Sequence, residues 1–357
     1  MHLFAVVPWQ ETSSLNETAA LIGEVFSPEH TKNHGPYYFV RTRDHRTGAE
    51  ALQLSIAEVT DQAETRKALV RAAERHGRTV RVDEVPLDSI PSPLWNSGFD
   101  GPGFPALSRR LYQRAAPILA TFLNRAAQAD NPLQSALDAI RLMVAHTRAT
   151  LLRSPQRSLA GYEFRELLSL RLLSYRSHFE AVYPRTKDPA SFEAACARFY
   201  AQAGPEIHKF VTSSGDADAI WANDAVIRQW TELVMSASHP LAADFRDGTV
   251  VDAGRTLEDL VRERGAPVEP TRFHTPRIPE LERLLHHDTD FLSFRLLTSL
   301  LYSCLYTLGF SLPERYVYCY VAARANEEVA GRSMLELAAD LDDLARRVAA
   351  VSAAGAE

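Results

Sequence analysis

The chain has 357 residues, of which 46% are apolar, and its 39 Lys and Arg against 45 Asp and Glu give a net charge of −6. That apolar content can bury a sizeable core and the length favours two lobes over one. The acidic balance argues against a general nucleic-acid binder, although local basic surfaces remain open. Three cysteines, Cys196, Cys304 and Cys319, form no CxxC pair and predict neither a disulfide framework nor a zinc site. No apolar run reaches the ~18 residues of a membrane span. The opening MHLFAVVPW lacks a basic n-region and a cleavage site, so a cytoplasmic protein is expected.

In chain order, residues 2–7 alternate and predict a strand, and residues 11–26 carry Leu15, Ala19, Ile22 and Val25 at helical spacing. After Gly35-Pro36, the aromatic and β-branched YYFVRTRD and the alternating ALQLSIAEV flank the polar, Gly-bearing DHRTGAE, as in a β-hairpin. Leu52, Leu54 and Ile56 fall on one face of the second strand, Gln53 and Ser55 on the other. A helix over about 62–76, with Asp61 as N-cap and Gly77 past its end, then leads to the strand TVRVDEVP. The order βαββαβ is the ferredoxin-like motif, and it predicts an α+β fold with a ferredoxin-like lobe over 1–86.

The Pro- and Gly-dense stretch 87–105 is too irregular for an element and too aromatic, with Trp95, Phe99 and Phe104, for a plain linker, so it is expected to pack down. A mainly helical lobe over 106–357 follows. Breaks are expected near Asn131-Pro132, Pro155, 184–189, Gly204-Pro205 and 213–215, and residues 236–279 read as loop around one short helix. Helices are expected over about 290–308, from Glu314 to at least Glu328, and in the segment SMLELAADLDDLARRVAAV.

The most informative segment is SFRLLTSLLYSCLYTLG, which places Ser299, Tyr302, Ser303 and Tyr306 at spacings of three and four in an apolar helix, hence on one face. Hydroxyls facing a core need partners, since each one left unpaired costs roughly 1–3 kcal/mol. A polar pocket would supply them; equally, the rings fill the core and hold their hydroxyls at its rim. Arg41 and Arg43 alternate along their strand together with Phe39, an arrangement that can grip a carboxylate or polarise a carbonyl, and that equally suits a solvated strand edge. None of the twelve histidines has a metal-ligand spacing; His178 lies in a helix beside Tyr175 and Arg176, where a satisfied structural role also fits. No GxGxxG, GxxxxGK[ST] or GxSxG falls in a strand–turn–helix setting, so dinucleotide, P-loop and serine-hydrolase chemistry lack support.

The ends of the chain resemble a known family. YYFVRTRD followed by ALQLSI is similar to the strand pair F-x-R-Y-x-D and H-L-R-L-R of the lantibiotic dehydratase elimination domain, with Phe39, Arg41 and Asp44 matching. SLLYSCLYTLGFSLPER resembles that domain's S-x-x-H-M-x-x-N-R-x-x-G helix: Ser299 matches, Tyr302 stands for the His, Ser303, Tyr306 and Thr307 stand for Met, Asn and Arg, and Gly309 lies one position from the family Gly. In that family the His and the strand arginines serve elimination of glutamate from glutamylated Ser and Thr. Here Gln53 and Ser55 stand in the place of the second strand's arginines. Thiopeptide pyridine synthases resemble the same domain at this chain length, without a glutamylation domain.

That resemblance implies an enzyme of the bacterial cytoplasm acting on a dehydrated, azole-containing precursor peptide that still carries its leader. It joins two dehydroalanines by a formal [4+2] cycloaddition, after which loss of water and of the leader aromatises the ring. No cofactor and no metal are implied, and neither nucleic acid nor membrane is a partner; association with other biosynthetic enzymes is possible. Tyr302, Tyr306, Ser299, Ser303 and Arg41 are the catalytic candidates, and Phe39, Arg43, Gln53, Ser55, Trp95 and His178 would line the substrate site. The alternatives are a stand-alone glutamate-elimination component of a split dehydratase and a non-catalytic leader-binding scaffold.

Overall fold

The computed structural model describes residues 2–9, 15–27, 32, 34–44, 47–94, 97–129, 131–154, 162–215, 223–253 and 278–354. The chain forms two compact units, each discontinuous in sequence: unit 1 comprises residues 1–97, 102–135 and 299–311, and unit 2 the remainder.

Unit 1 is built on strands β1 (His2–Pro8), β2 (Tyr37–Arg43), β3 (Glu50–Ile56) and β4 (Arg81–Val85), with helix α1 (Leu15–Val25) before β2 and α2 (Gln62–Arg75) before β4. The sheet order is β2-β3-β1-β4, and every neighbouring pair is antiparallel. Helix α2 begins where expected, with the Asp61 carboxylate accepting from the Glu64 N–H, and Gly77 follows its end at φ 63°.

Register assigns the faces. Phe39 opposes Leu54, Leu54 opposes Ala5 and Leu52 opposes Val7, so these side chains share one face, and all are buried. The Phe26 ring lies over Phe39 on that side, 6.2 Å between centroids. The other face carries Tyr38, Val40 and Ser55, each 1% exposed. Helix α3 (Phe104–Ala127) packs on β2 and α1, with Tyr112 placing its ring 6.0 Å from that of Tyr38.

The stretch 87–105 contains a 3-10 turn at Leu87–Ser89 and the two-residue strand β5 (Phe99–Asp100), which pairs with β6 (Val251–Asp252) inside unit 2. Unit 1 is completed by the second half of helix α9 (Thr289–Thr307), whose first half, like most of α4 (Pro132–Leu152), belongs to unit 2.

Unit 2 further holds α5 (Phe164–Val182), α6 (Pro189–Ser213), α7 (Ala225–Arg246), α8 (Pro279–His286), α10 (Leu312–Ala330) and α11 (Met334–Ala354). Helix α10 packs on both α5 and α6. In this core His146 is fully buried; Trp230 Nε1 donates to its Nδ1 at 3.2 Å, and Thr298 Oγ1 lies 3.4 Å from its Nε2. Burial alone lowers its pKa to about 3, so it is a neutral, satisfied core residue.

Two expectations are corrected. Helix α6 runs through Gly204-Pro205, because buried Cys196, Ala203, Ile207, Phe210 and Val211 keep one apolar stripe across the pair, and the Tyr200 ring fills the space a Cβ at Gly204 would need, 3.0 Å away. Helix α7 runs through Pro240 to Arg246 on a buried face that includes Trp230, Leu233, Ala237 and Leu241, where loop was expected from 236. In both helices the apolar face outweighs the one backbone bond that proline removes. Among the described residues no helix is long and apolar enough to cross a membrane.

Candidate functional site

The polar face of α9 gains its position from the way the helix ends. Gly309 adopts φ 93°, its N–H donates to the Tyr306 carbonyl at 3.0 Å, and the Phe310 N–H donates to the Leu305 carbonyl at 3.1 Å. This is a Schellman cap, closed by an edge contact of Phe310 with Phe122 at 6.2 Å. It fixes Tyr306 and Thr307 in the last helical turn, against the outer edge of β2. There the Arg41 N–H, which points away from β3, donates to Thr307 Oγ1 at 3.2 Å, so a helix hydroxyl caps an edge strand that would otherwise present a bare donor.

The second support is the hairpin. The Asp44 N–H donates to the Ala49 carbonyl and the Gly48 N–H to the Asp44 carbonyl, both at 2.8 Å, with Gly48 at φ 73°. This loop sets Glu50 opposite Arg43 and on the face of Arg41. The Trp9 N–H donates to the Glu50 carbonyl at 2.8 Å, extending the β1–β3 ladder and bringing Trp9 to the same corner.

The result is a layered cluster. The Arg41 guanidinium lies 4.1 Å from the Trp9 ring centroid and 4.4 Å from that of Tyr306. Its Nε donates to Glu50 Oε2 at 2.8 Å and its Nη2 pairs with the same oxygen. Tyr306 also hydrogen-bonds the Glu50 carboxylate. Burial would raise the Glu50 pKa, but the hydrogen bonds from Tyr306 and Arg41 and the fields of Arg41 and Arg43 outweigh it and hold the carboxyl below its ordinary range. Burial, followed by the Glu50 carboxylate, pushes Tyr306 up to about 12. The phenol is therefore a protonated donor at neutral pH beside an ionised acceptor.

A second hydroxyl chain runs behind it. Tyr112, fully buried, donates to Ser303 Oγ, while Thr307 Oγ1 donates to the Ser303 carbonyl at 3.0 Å and accepts from Arg41. Burial raises the Tyr112 pKa well above that of a free phenol, so this chain stays neutral.

Of the residues singled out in the sequence, the structure gathers Arg41 and Tyr306 in direct contact and sets Ser303 in the adjoining chain, with Ser299 and Tyr302 half-buried on the same helix. Arg43 is exposed and acts on Glu50 and Tyr306 through its charge. Phe39 is 0% exposed and belongs to the core. Gln53 opposes Val40 and Ser55 opposes Tyr38, which places both on the sheet face opposite Arg41; Ser55 is buried with its Oγ 3.1 Å from His2 Nε2. His178 lies in unit 2 on α5, its Nδ1 donating to the Ser174 carbonyl at 2.6 Å. Trp95 lies outside the described residues.

Sequence reasoning missed Trp9, Glu50 and Tyr112. Glu50 was within reach: setting the hairpin register from Arg43 across the loop puts a carboxylate opposite the arginine pair. Among the described residues, no three or more His, Cys, Asp or Glu side chains gather as a metal site. All three cysteines are buried, and burial raises the Cys304 thiol pKa, which leaves it unreactive.

The fold that carries this cluster is a pyridine synthase-like fold. The chain superimposes on the pyridine synthase TbtD from thiomuracin biosynthesis with a TM-score of 0.58 at 16% identity, covering 92% of this chain and 99% of that one. It superimposes on TsrL with a TM-score of 0.66 at 18% identity, covering 98% of each chain. No family model and no curated protein matches the chain by sequence.

Proposed function

We propose that the chain is a thiopeptide-type pyridine synthase. It forms the central six-membered nitrogen ring of a ribosomal peptide from two dehydroalanines, then releases water and the leader peptide. The supporting observation is the Tyr306–Glu50–Arg41 cluster beside the hydroxyl face of α9. On this reading the four-stranded sheet with its two helices is a ferredoxin-like lobe whose corner holds the acid–base apparatus.

One dehydroalanine has to react as the iminol tautomer of its amide. Tyr306 can take a proton from the amide nitrogen while passing its own to Glu50, then return a proton to the oxygen, so the shuttle ends with no net change of charge. The same phenol can protonate the oxygen that later leaves as water. Glu50 occupies the Arg41 guanidinium that a glutamyl substrate would need, which favours a site of neutral donors over one that grips an acid. Holding the two dehydroalanines at near-attack distance supplies the rest, since well-oriented partners reach effective molarities of ~10⁵–10⁸ M. Neither a cofactor nor a metal has a part in this scheme.

The test is incubation of the purified protein with a dehydrated, azole-containing precursor that retains its leader. A macrocycle lighter by one water and by the leader, with free leader in the mixture, supports the reading. Release of glutamate from a glutamylated precursor, or binding without mass change, would displace it.

A further inference from the structure

Unit 1 contains a cavity of about 740 Å³, formed among the His2 end of β1, the end of β4 and the first turns of α3, with His2, Glu58, Val85, Ala106, Arg109 and Arg110 among its lining residues. Arg109 is the unusual member. It is only 7% exposed, yet among the described residues no hydrogen bond or ion pair holds its guanidinium. Its stem is buried, while none of its nitrogens is cut off from solvent, so the guanidinium opens into the cavity and is free to take an anion there.

Both carboxylates in the cavity wall are engaged elsewhere. Glu84 pairs with Arg66 at 3.5 Å. Glu58 is packed over Gly35, where a Cβ would fall 2.7 Å from its Oε2, and its backbone is left-handed at φ 51°, the one non-glycine residue in that region among those described. Such strain persists where the surroundings impose it, and here it accompanies a Glu58 side chain laid over the glycine. Arg110 is exposed at the rim, and His2, whose pKa is lowered by burial and by neighbouring positive charge including Arg109, contributes no charge at neutral pH.

We propose that this cavity is a carboxylate-binding site in which Arg109 receives the acid group of a ligand. The acid belongs either to a free small molecule or to an Asp or Glu side chain of a peptide; the chemistry at the guanidinium is the same. The site stands independently of the Arg41 cluster and of the ring-forming reading.

The test uses the full chain. Its thermal midpoint is followed against glutarate, and separately against a short peptide with one central Asp, each matched in ionic strength with chloride. A saturable rise with either probe is expected, as for any ligand that binds only the folded state; which probe acts identifies the source. Arg109→Met should lose the rise, because it keeps the length of the stem and removes the cation that receives the acid group. Ala106→Trp, which fills the cavity from an exposed position and leaves Arg109 in place, should lose the rise as well and decides the matter where Arg109→Met does not fold. Arg110→Gln should retain it. No saturable response to either probe, or a response that survives Arg109→Met or Ala106→Trp, would overturn the proposal.

Discussion

Tyr306→Phe separates the chemical role of the α9 hydroxyl face from its packing role. The substitution keeps the ring 4.4 Å from the Arg41 guanidinium and removes the hydroxyl that hydrogen-bonds Glu50. The Glu50 side chain is 21% exposed, so water can replace the lost donor. The stability cost should then be ~1 kcal/mol, below the ~1.5–3 kcal/mol usual for a bond to a charged group because water takes over part of it. For a cooperative unit of this size that corresponds to a fall of ~2–4 °C in melting midpoint. If the phenol transfers a proton in the rate-determining step, its loss should slow ring formation by ~10²–10⁴, or ~3–5 kcal/mol in the barrier. The kinetic effect is thus several times the structural one. Single-turnover ring formation, followed by mass spectrometry beside thermal unfolding and leader affinity, reads both quantities on one sample. Near-normal turnover in a protein that has lost its ~2–4 °C would refute the assignment and leave Tyr306 as a lid on the Arg41–Glu50 pair.

Ser303→Ala should show the opposite signature, a loss of ~1 kcal/mol in unfolding free energy because the buried Tyr112 hydroxyl loses its bond to Ser303 and keeps the one to Thr307, with turnover changed less than in Tyr306→Phe; a larger rate loss than Tyr306→Phe would move the chemistry to Ser303. Because the folded Glu50 carboxyl lies below its unfolded value, its contribution is present above pH ~4.3 and is lost as pH falls through the folded value. The stability gap between wild type and Glu50→Gln in denaturant titrations should therefore be constant near neutrality and narrow in acid; a gap that widens in acid contradicts the pairing. His146 is neutral when folded down to about pH 3, whereas the unfolded residue protonates near ~6.5. The native state should accordingly lose stability through this residue as pH drops between those values, and His146→Gln should flatten that slope. Exhaustive dialysis against a chelator should leave ring formation intact, and restoration of a lost activity by one added metal would count against the scheme.

How far the site could be read in advance depended on whether a feature was local. The spacing 299, 302, 303, 306 gave one helical face without knowledge of its neighbours, and Asp61 with Gly77 marked both ends of α2 because capping is a matter of a few adjacent residues. Arg41 was legible as an unusual strand residue. Its partners were not, since Trp9 and Tyr306 meet it only after β1 pairs with β3 and α9 docks along β2. Strand alternation correctly divided Leu52, Leu54 and Ile56 from Gln53 and Ser55. It did not reveal that both faces are covered, as the 1% exposure of Ser55 requires. The prolines misled at 205 and 240 for the complementary reason: a local rule was applied where packing over several turns prevails.

The hydrogen bond from Arg41 to Thr307 joins residues 266 positions apart in the chain. During synthesis, β2 emerges from the ribosome and can pair with β3 long before Thr307 exists. At ~5–20 residues per second its outer edge waits some tens of seconds for its cover, and over that interval the nascent chain offers an open strand of the kind that recruits other chains. Arg41 and Arg43 stand on that strand, and like charges on an unpaired edge repel a second copy. The same arginines thus put charge on the edge of the unfinished sheet for as long as the last turn of α9 is still to come.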